Sequence, residues 1–201
     1  MRPYSWVLIA GLLTVTATAC NKPAETPAPS ASAAAPAPAA PKQTLKDIME
    51  KIVDPSGDFV FESIQQISDK RGLTEVAPKT DADWAEVRRH LTILYNAPTL
   101  ITAPGLQAAR PEDRSKNPAV ESQPEEVQKL LDTDHEGLVR HAQRLQDASA
   151  VALKAVDAKD KDALFVAISG IDKACESCHL RYWYPKDQRA HQAAREEGVT
   201  E

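Results

Sequence analysis

Large apolar residues recur every three or four positions along the chain from Gln43 to Pro185. This is the spacing of one face of an α-helix, and the strict alternation of a half-buried β-strand does not compete with it. Each apolar stripe needs neighbouring helices to bury it. The sequence therefore predicts an all-α fold in the form of an antiparallel four-helix bundle, an architecture whose core can hold a cofactor.

The first two predicted helices follow from these stripes and from helix-start signals. The first stripe spans residues 45–67 and restarts at the Asp-Pro pair 54–55, because Asp caps helix starts and proline fits the first turn. The second helix opens at Thr80, since Asp83 follows it at the spacing of a capping box. We expect this helix to end near Asn96, shortly before a proline.

The other two predicted helices lie in the C-terminal half. Residues 99–121 contain three prolines and few large apolar side chains, so they are predicted to form a crossover loop. The third helix starts near residues 122–126 and continues over some thirty residues to Val156. The fourth spans Asp160 to Pro185, and the polar tail, residues 186–201, is expected to fray.

The N-terminus has the pattern of an export signal. Arg2 precedes an apolar run of 14 residues, 6–19, which is too short to cross a bilayer as a mature helix. It predicts a signal peptide over residues 1–19. The run ends in "ATAC", and small residues before Cys20 resemble the lipobox of bacterial lipoproteins, where the cysteine becomes acylated. Ala17 stands where that pattern prefers leucine, and ordinary cleavage after "ATA" is the alternative.

Residues 20–42 join Cys20, the predicted lipidation site, to the predicted four-helix domain, residues 43–201. This stretch is rich in Pro, Ala and Ser and has almost no large apolar side chain, so it cannot bury enough surface to order itself. An extended proline-rich linker of this length reaches up to roughly 60 Å. The sequence predicts a domain that faces the periplasm on a lipid anchor. Asn21 favours the outer membrane, by resemblance to lipoproteins of diderm bacteria.

The charge of the chain argues against two kinds of partner. The formal net charge is −5, and no basic run of five or more residues occurs. Nucleic acids and anionic membrane surfaces attract basic patches. We therefore expect no nucleic-acid partner, and contact with a membrane only through the lipid anchor.

The stretch "CESCH" carries the chemistry of the chain. Cys175, Cys178 and His179 stand at i, i+3 and i+4, so a helix places them on one face, and that face continues the apolar stripe of Ile168 and Ile171. The spacing is that of the C-x-x-C-H signature of c-type haem attachment. Both thiols form thioethers with the porphyrin, and the imidazole is the proximal iron ligand. The motif predicts one covalent haem c.

Cysteine pairs at this spacing have three other uses. A disulfide between Cys175 and Cys178 suits an oxidising compartment. A thioredoxin-like motif uses the same C-x-x-C, but next to a βαβ pattern that this sequence lacks. A zinc site needs four ligands, and no second cysteine pair exists. With one thiol assigned to lipid and two to haem, no cysteine is left over.

An exported helical bundle with C-x-x-C-H near its C-terminus resembles the class II c-type cytochromes, the cytochrome c-prime and cytochrome c-556 group, in a lipoprotein form. The resemblance covers roughly residues 43–185. In that family an aromatic residue commonly stands three positions after the histidine, as Tyr182 does here. Arginine then follows it, whereas here Trp183 takes that place and Arg181 lies earlier.

The resemblance implies a haem c held near the C-terminal helix and one-electron transfer with redox partner proteins in the periplasm, without an enzymatic reaction. A homodimer is also an expectation, because relatives of this kind often pair through their first two helices. Members of the family differ in what occupies the sixth coordination position of the iron, opposite the histidine. Low-spin members take a methionine there and carry electrons. Five-coordinate members bind small gases such as nitric oxide, which is the alternative function.

Met49 is the candidate sixth ligand. It is the one methionine left after signal removal, and it lies on the first stripe, where low-spin relatives have their ligand. Ligation by histidine and methionine raises the reduction potential. On spacing alone, such a methionine is usually core filler. His90 and His141 flank other apolar stripes and are the rivals, and an open sixth position is the remaining alternative.

Overall fold

Helices make up most of the chain in the computed structural model, which describes residues 43–199. The predicted signal peptide (1–19), the lipidated Cys20 and the linker (20–42) lie outside the described residues. In chain order the elements are α1 (Leu45–Ile48), a π-helical segment (Met49–Val53), α2 (Asp54–Ser63), β1 (Gln65–Asp69), β2 (Gly72–Val76), α3 (Asp81–Ile101), α4 (Pro124–Thr133), α5 (His135–Asp157), α6 (Lys161–Tyr182) and α7 (Gln188–Glu196). In the described part of the chain, no helix is long and apolar enough to span a membrane.

The predicted starts of the second and fourth helices are confirmed. The Thr80 side chain accepts a hydrogen bond from the Asp83 amide, and the Asp83 carboxylate accepts one from the Thr80 amide, which forms a complete capping box before α3. Asp160 caps α6 by accepting a hydrogen bond from the Ala163 amide at 2.9 Å. These contacts satisfy amides that have no partner within the helix.

The predicted end of the second helix near Asn96 is wrong, because α3 continues through Pro98 to Ile101. A proline inside a helix removes one backbone hydrogen bond and costs about 3 kcal/mol. Ala97, Pro98 and Ile101 are all buried, so the apolar surface that they remove from water offsets this cost. The hydroxyl of Thr102 then closes the helix by donating to the Pro98 carbonyl at 2.7 Å.

The predicted third helix is two helices, α4 and α5, which meet at Asp134. This residue has φ −133° and ψ 46°, and its carboxylate accepts a hydrogen bond from the Gly137 amide. A Cβ atom added at Gly137 would lie 2.5 Å from that carboxylate, so a larger residue there would displace the capping group. Arg181 of α6 also donates to Asp134, at 3.0 Å. The break is therefore specified partly by a distant residue.

The C-terminal tail is more ordered than expected. Residues 188–196 form α7, so the predicted fraying is wrong for this part of the tail. Asp187 caps the helix by accepting hydrogen bonds from the amides of Arg189 and Ala190 at 3.0 Å and 3.1 Å. Ala194 is buried, so α7 contributes one apolar contact to the rest of the domain.

The mostly helical character of the predicted all-α fold is confirmed for the described residues, and a small β-hairpin between α2 and α3 is added to it. β1 and β2 are antiparallel, and Ile67 lies opposite Thr74. Asp69 accepts a hydrogen bond from the Arg71 amide at 2.7 Å, and Gly72 adopts φ 118°, which side-chain-bearing residues rarely adopt. Ile67 is 43% exposed, so its place on the predicted helical stripe is wrong.

Two contacts define how α3 packs against α5. The Arg88 guanidinium donates to Asp157 at 2.8 Å, and the Gln146 amide donates to the Tyr95 carbonyl at 3.1 Å. Because the earlier α3 residue meets the later α5 residue, the two helices are antiparallel. Buried residues between these and the other elements include Ile48, Val53, Val60, Leu91, Leu94, Leu145, Leu164 and Ile171.

The α5 and α6 helices are also antiparallel. His141 lies near the start of α5 and contacts Ser177 near the end of α6, with 3.1 Å between Nδ1 and Oγ. Half-way along both helices, Gly170 lies against Ala148. The buried residues of α6 from Leu164 to Ser177 are three or four positions apart, as a helical stripe requires, but they run through Ala167 and Ala174 and not through Ile168 and Cys175 as predicted.

Asp47 connects the first helix to the crossover loop. It is buried, and it accepts hydrogen bonds from the Thr44 amide and hydroxyl, from Lys51, and from Arg110 at 2.7 Å. Lys51, followed by the Thr44 amide, holds the pKa of Asp47 far below its ordinary value. The Leu45 amide reaches the same loop through a backbone bond of 2.8 Å. We refer to these contacts as the Asp47 clamp.

Two buried serines allow a matched test of packing between α5 and α6. Ser149 is 0% exposed, and within the described chain its hydroxyl has no hydrogen-bond partner. Ser177 is equally buried but bonds to His141 and to the Ala174 carbonyl. We expect Ser149→Ala to raise the free energy of unfolding by about 1 kcal/mol, because it removes an unpaired buried hydroxyl.

The control, Ser177→Ala, is expected to lower the free energy of unfolding by about 1 kcal/mol, because the buried ring of His141 loses its partner. Urea titration followed by circular dichroism measures both variants. Equal losses in the two variants would contradict the unpaired state of Ser149.

Candidate functional site

The three residues of the C-x-x-C-H motif lie in the last two turns of α6. Cys175, Cys178 and His179 are half-buried, and both cysteines pack against the edge of the core. Their neighbours Ala174 and Ser177 are the fully buried residues at this level of the helix. The motif therefore lies on a face beside the buried stripe of α6.

Both thiols are uncombined and poorly ionised. Cys175 and Cys178 are free cysteines, with no bond between them. Burial raises the pKa of each thiol to about 12. The thiolate is the reactive form in thiol–disulfide exchange, and redox motifs lower the thiol pKa. This environment does the opposite, so it does not favour the thioredoxin-like alternative.

Three carboxylates lie within electrostatic range of Cys175. After burial and Cys178, the residues that raise the pKa of this thiol are Asp172, Asp54 and Glu176. Asp54 is the first residue of α2, so the thiol face of α6 lies close to the junction of the π segment with α2. Along their length α6 packs mainly against α5, and α2 packs mainly against α3. Asp54 is thus the residue through which the first helical segment, from α1 to α2, comes within electrostatic range of Cys175.

His179 is held by two aromatic side chains. Its ring centroid lies 5.1 Å from that of Trp183 in an edge-on arrangement and 5.8 Å from that of Tyr184. Burial lowers the pKa of His179 to about 4, so the imidazole is neutral at pH 7. Neutral imidazole is the form that binds metal ions.

Tyr184 and Glu176 are site residues that the sequence reasoning missed. The Tyr184 hydroxyl donates to the Glu176 carboxylate, which lies one position after Cys175. The backbone amides of Trp183 and Tyr184 both donate to the carbonyl of His179, at 2.8 Å and 2.9 Å, and so end α6. The aromatic run directly after the motif was the signal that could have indicated this contact.

Met49 is the first residue of the π segment. It is half-buried and packs against the core from the first helix. The Asp54 amide donates to the Met49 carbonyl across the π turn. Met49 and both cysteines of the motif pack against the same hydrophobic core, and Asp54, at the end of the π turn, lies within electrostatic range of Cys175.

The two rival histidines have different surroundings. His141 is buried and its Nδ1 lies 3.1 Å from the Ser177 hydroxyl, so its ring is engaged between α5 and α6. His90 stacks on Phe59, with 4.1 Å between ring centroids, and its Nε2 lies 2.6 Å from Arg89. Burial, followed by the charge of Arg89, lowers the pKa of His90. Among the described residues its Nδ1 has no partner.

Within residues 43–199, no three or more His, Cys, Asp or Glu side chains are grouped so that they could hold a bare metal ion. In comparisons with protein-family models, with curated proteins and with solved structures, nothing matches this chain. The residues of the site are therefore the basis on which a function is proposed.

Proposed function

We propose that this protein is a monohaem c-type cytochrome that transfers single electrons between redox proteins in the periplasm and is anchored to a bacterial membrane through Cys20. The observation that carries the proposal is the set of groups on α6. Two free thiols and a neutral imidazole stand at i, i+3 and i+4 on one helix face. The protein is an electron carrier and not an enzyme.

The donor set fits haem c. Cys175 and Cys178 supply the two sulfurs that the porphyrin takes as thioethers, and His179 supplies an unprotonated nitrogen for the iron. When bound, the haem supplies an iron that cycles between two oxidation states. The antiparallel packing of α3, α5 and α6, with the first helical segment against α3, supports the four-helix bundle as its scaffold.

Burial sets the protonation states of the two thiols and the imidazole that this role needs. The raised pKa values of the two thiols keep them protonated and weakly reactive, so they resist wrong disulfide exchange before attachment. Trp183 and Tyr184 contact the His179 ring from two directions and restrict its rotation. A restricted neutral imidazole gives the iron a defined axial ligand.

Met49 is the sixth ligand in this proposal. It is the one methionine outside the signal peptide, and it packs against the same hydrophobic core as Cys175 and Cys178. His141 is already bonded to Ser177, which makes it a weaker rival. A five-coordinate site that binds nitric oxide is the alternative that follows if Met49 does not coordinate.

Optical spectra of the full-length protein, exported by a host with haem-ligation machinery, test the proposal. We expect a low-spin ferric spectrum with a methionine-to-iron charge-transfer band, and an intact mass after denaturation that includes one haem. A high-spin ferric spectrum with covalent haem would replace the electron carrier with the gas-binding alternative. A colourless protein with two free thiols would overturn the haem proposal itself.

A further inference from the structure

We propose that the π segment, Met49–Val53, sets the direction in which Met49 meets the haem site, so that coordination by its sulfur depends on one inserted residue in the helix. This inference rests on the proposed function. It assigns a positioning role to the backbone of the π segment, in addition to the ligand role of the methionine itself.

The burial pattern shows what the insertion does. Ile48 is buried before the π segment, and Val53 is the next buried residue, five positions later. Five residues make about 1.4 turns of an α-helix, which would turn Val53 away from the core. Beyond it, Ser56, Val60 and Ile64 follow at ordinary helical steps of three or four. The wider π turn therefore keeps the stripes of α1 and α2 on the same side.

Pro55 explains why the wide turn occurs at this place. In a regular α-helix the ring of Pro55 would collide with the carbonyl of Lys51, four residues earlier. The π segment ends at Val53, two residues before the proline, and the Asp54 amide is bonded to the Met49 carbonyl five residues back. Such single π turns inside helices are frequent at functional sites.

Both ends of the π segment are held by separate contacts. On the N-terminal side, the Asp47 clamp connects the preceding turn to Arg110 of the crossover loop at 2.7 Å. On the C-terminal side, Phe59 of α2 stacks on His90 of α3 at 4.1 Å. Removal of one residue between them would rotate one end by about 100° relative to the other. Met49 would then turn relative to Asp54 and the thiol face of α6.

Deletion of Glu50 tests this role without changing the methionine. Glu50 is exposed, and within residues 43–199 its side chain bonds only to Lys46, at 2.8 Å. We expect the deletion variant to keep haem on both cysteines but to lose the methionine charge-transfer band and become high-spin, which is also the result expected of Met49→Ala. The matched control is Glu50→Ala, which removes the same side chain, keeps the residue count and is expected to keep the low-spin spectrum.

A second readout uses the haem-free protein. In a background of Cys175→Ala and Cys178→Ala, oxidation of Met49 by hydrogen peroxide is followed by mass spectrometry. We expect several-fold faster sulfoxide formation in the Glu50 deletion than in Glu50→Ala, because the half-buried sulfur is turned out of its packing. Equal rates, together with an unchanged spectrum, would overturn the inference.

Pro55→Ala covers the case in which the deletion variant does not fold. It keeps the chain length and removes the steric need for the wide turn. We expect a mixture of high-spin and low-spin forms, and a purely low-spin spectrum would overturn the inference. A wild-type protein that is high-spin would also overturn it, but would leave covalent haem intact. Absence of haem from the wild type would instead contradict the proposed function.

Discussion

Replacement of both Cys175 and Cys178 by alanine will give a folded protein from which denaturation releases any haem. In the proposed function the two thioether bonds are the covalent link between the haem and the chain, and each needs one of these sulfurs. Both residues are half-buried at the edge of the core, so their loss removes little packing. A haem stain after denaturing electrophoresis and the intact mass should show complete loss of the cofactor.

Matched variants separate attachment from stability. Each single replacement, Cys175→Ala or Cys178→Ala, should retain haem through one thioether in reduced amount. Ser177 lies between the two cysteines. Its replacement, Ser177→Ala, should retain both thioether bonds to haem, although it removes the contact with His141. Haem that stays bound to the double variant after denaturation would contradict the assignment of these thiols.

Replacement of Ile171 by alanine will lower the free energy of unfolding by about 2–5 kcal/mol. Ile171 is 0% exposed and lies one turn before Cys175, on the side of α6 that faces the core. Truncation leaves a cavity that close-packed neighbours fill only in part. Because a domain of this kind is stable by about 5–15 kcal/mol, this single change removes a large share of its stability.

The control for Ile171 is Val166→Ala, on the same helix. Val166 is 70% exposed, so its truncation should change the free energy of unfolding by no more than about 0.5 kcal/mol. Urea unfolding of both variants in the double-alanine background measures the effect without the stabilisation that a bound cofactor adds. Equal effects would contradict the orientation of α6 described above.

The starts of α3 and α6 were predictable because their causes are local, whereas the start predicted at Asp54 has no side-chain cap. Thr80 with Asp83, and Asp160, cap helices through bonds that reach only three residues along the chain. The end of α3 and the break after Thr133 were missed because distant contacts decide them. Arg181, for example, reaches Asp134 from 47 residues away. Spacing in the sequence does not contain such contacts.

The hairpin was missed for a different reason. Its strands are mostly exposed, so they lack the alternation of buried and exposed residues that sequence patterns detect. The turn at Gly72 is the one local signal, and it lies in a stretch that also fits a helix followed by a loop. The hairpin is held to α6 by Lys161 and Glu75, at 2.8 Å, a pair separated by 86 residues.

The candidate site was only partly predictable. Helical geometry alone places Cys175, Cys178 and His179 on one face, and the structure has them on one helix. The nearness of Asp54 to Cys175 and the bond from Tyr184 to Glu176 depend on how segments meet in space. The π turn could not be predicted from spacing, because it follows from which side of the first helix is buried.

The Asp47 clamp also has a consequence for the order in which the domain is assembled. Asp47 and Arg110 are separated by 63 residues. The chain is made from its N-terminus, so the Asp47 carboxylate has no Arg110 partner until α2, the hairpin and α3 have followed it. The beginning of the domain is thus completed only after its middle has emerged, so the first turns do not become secure before Arg110 has followed them.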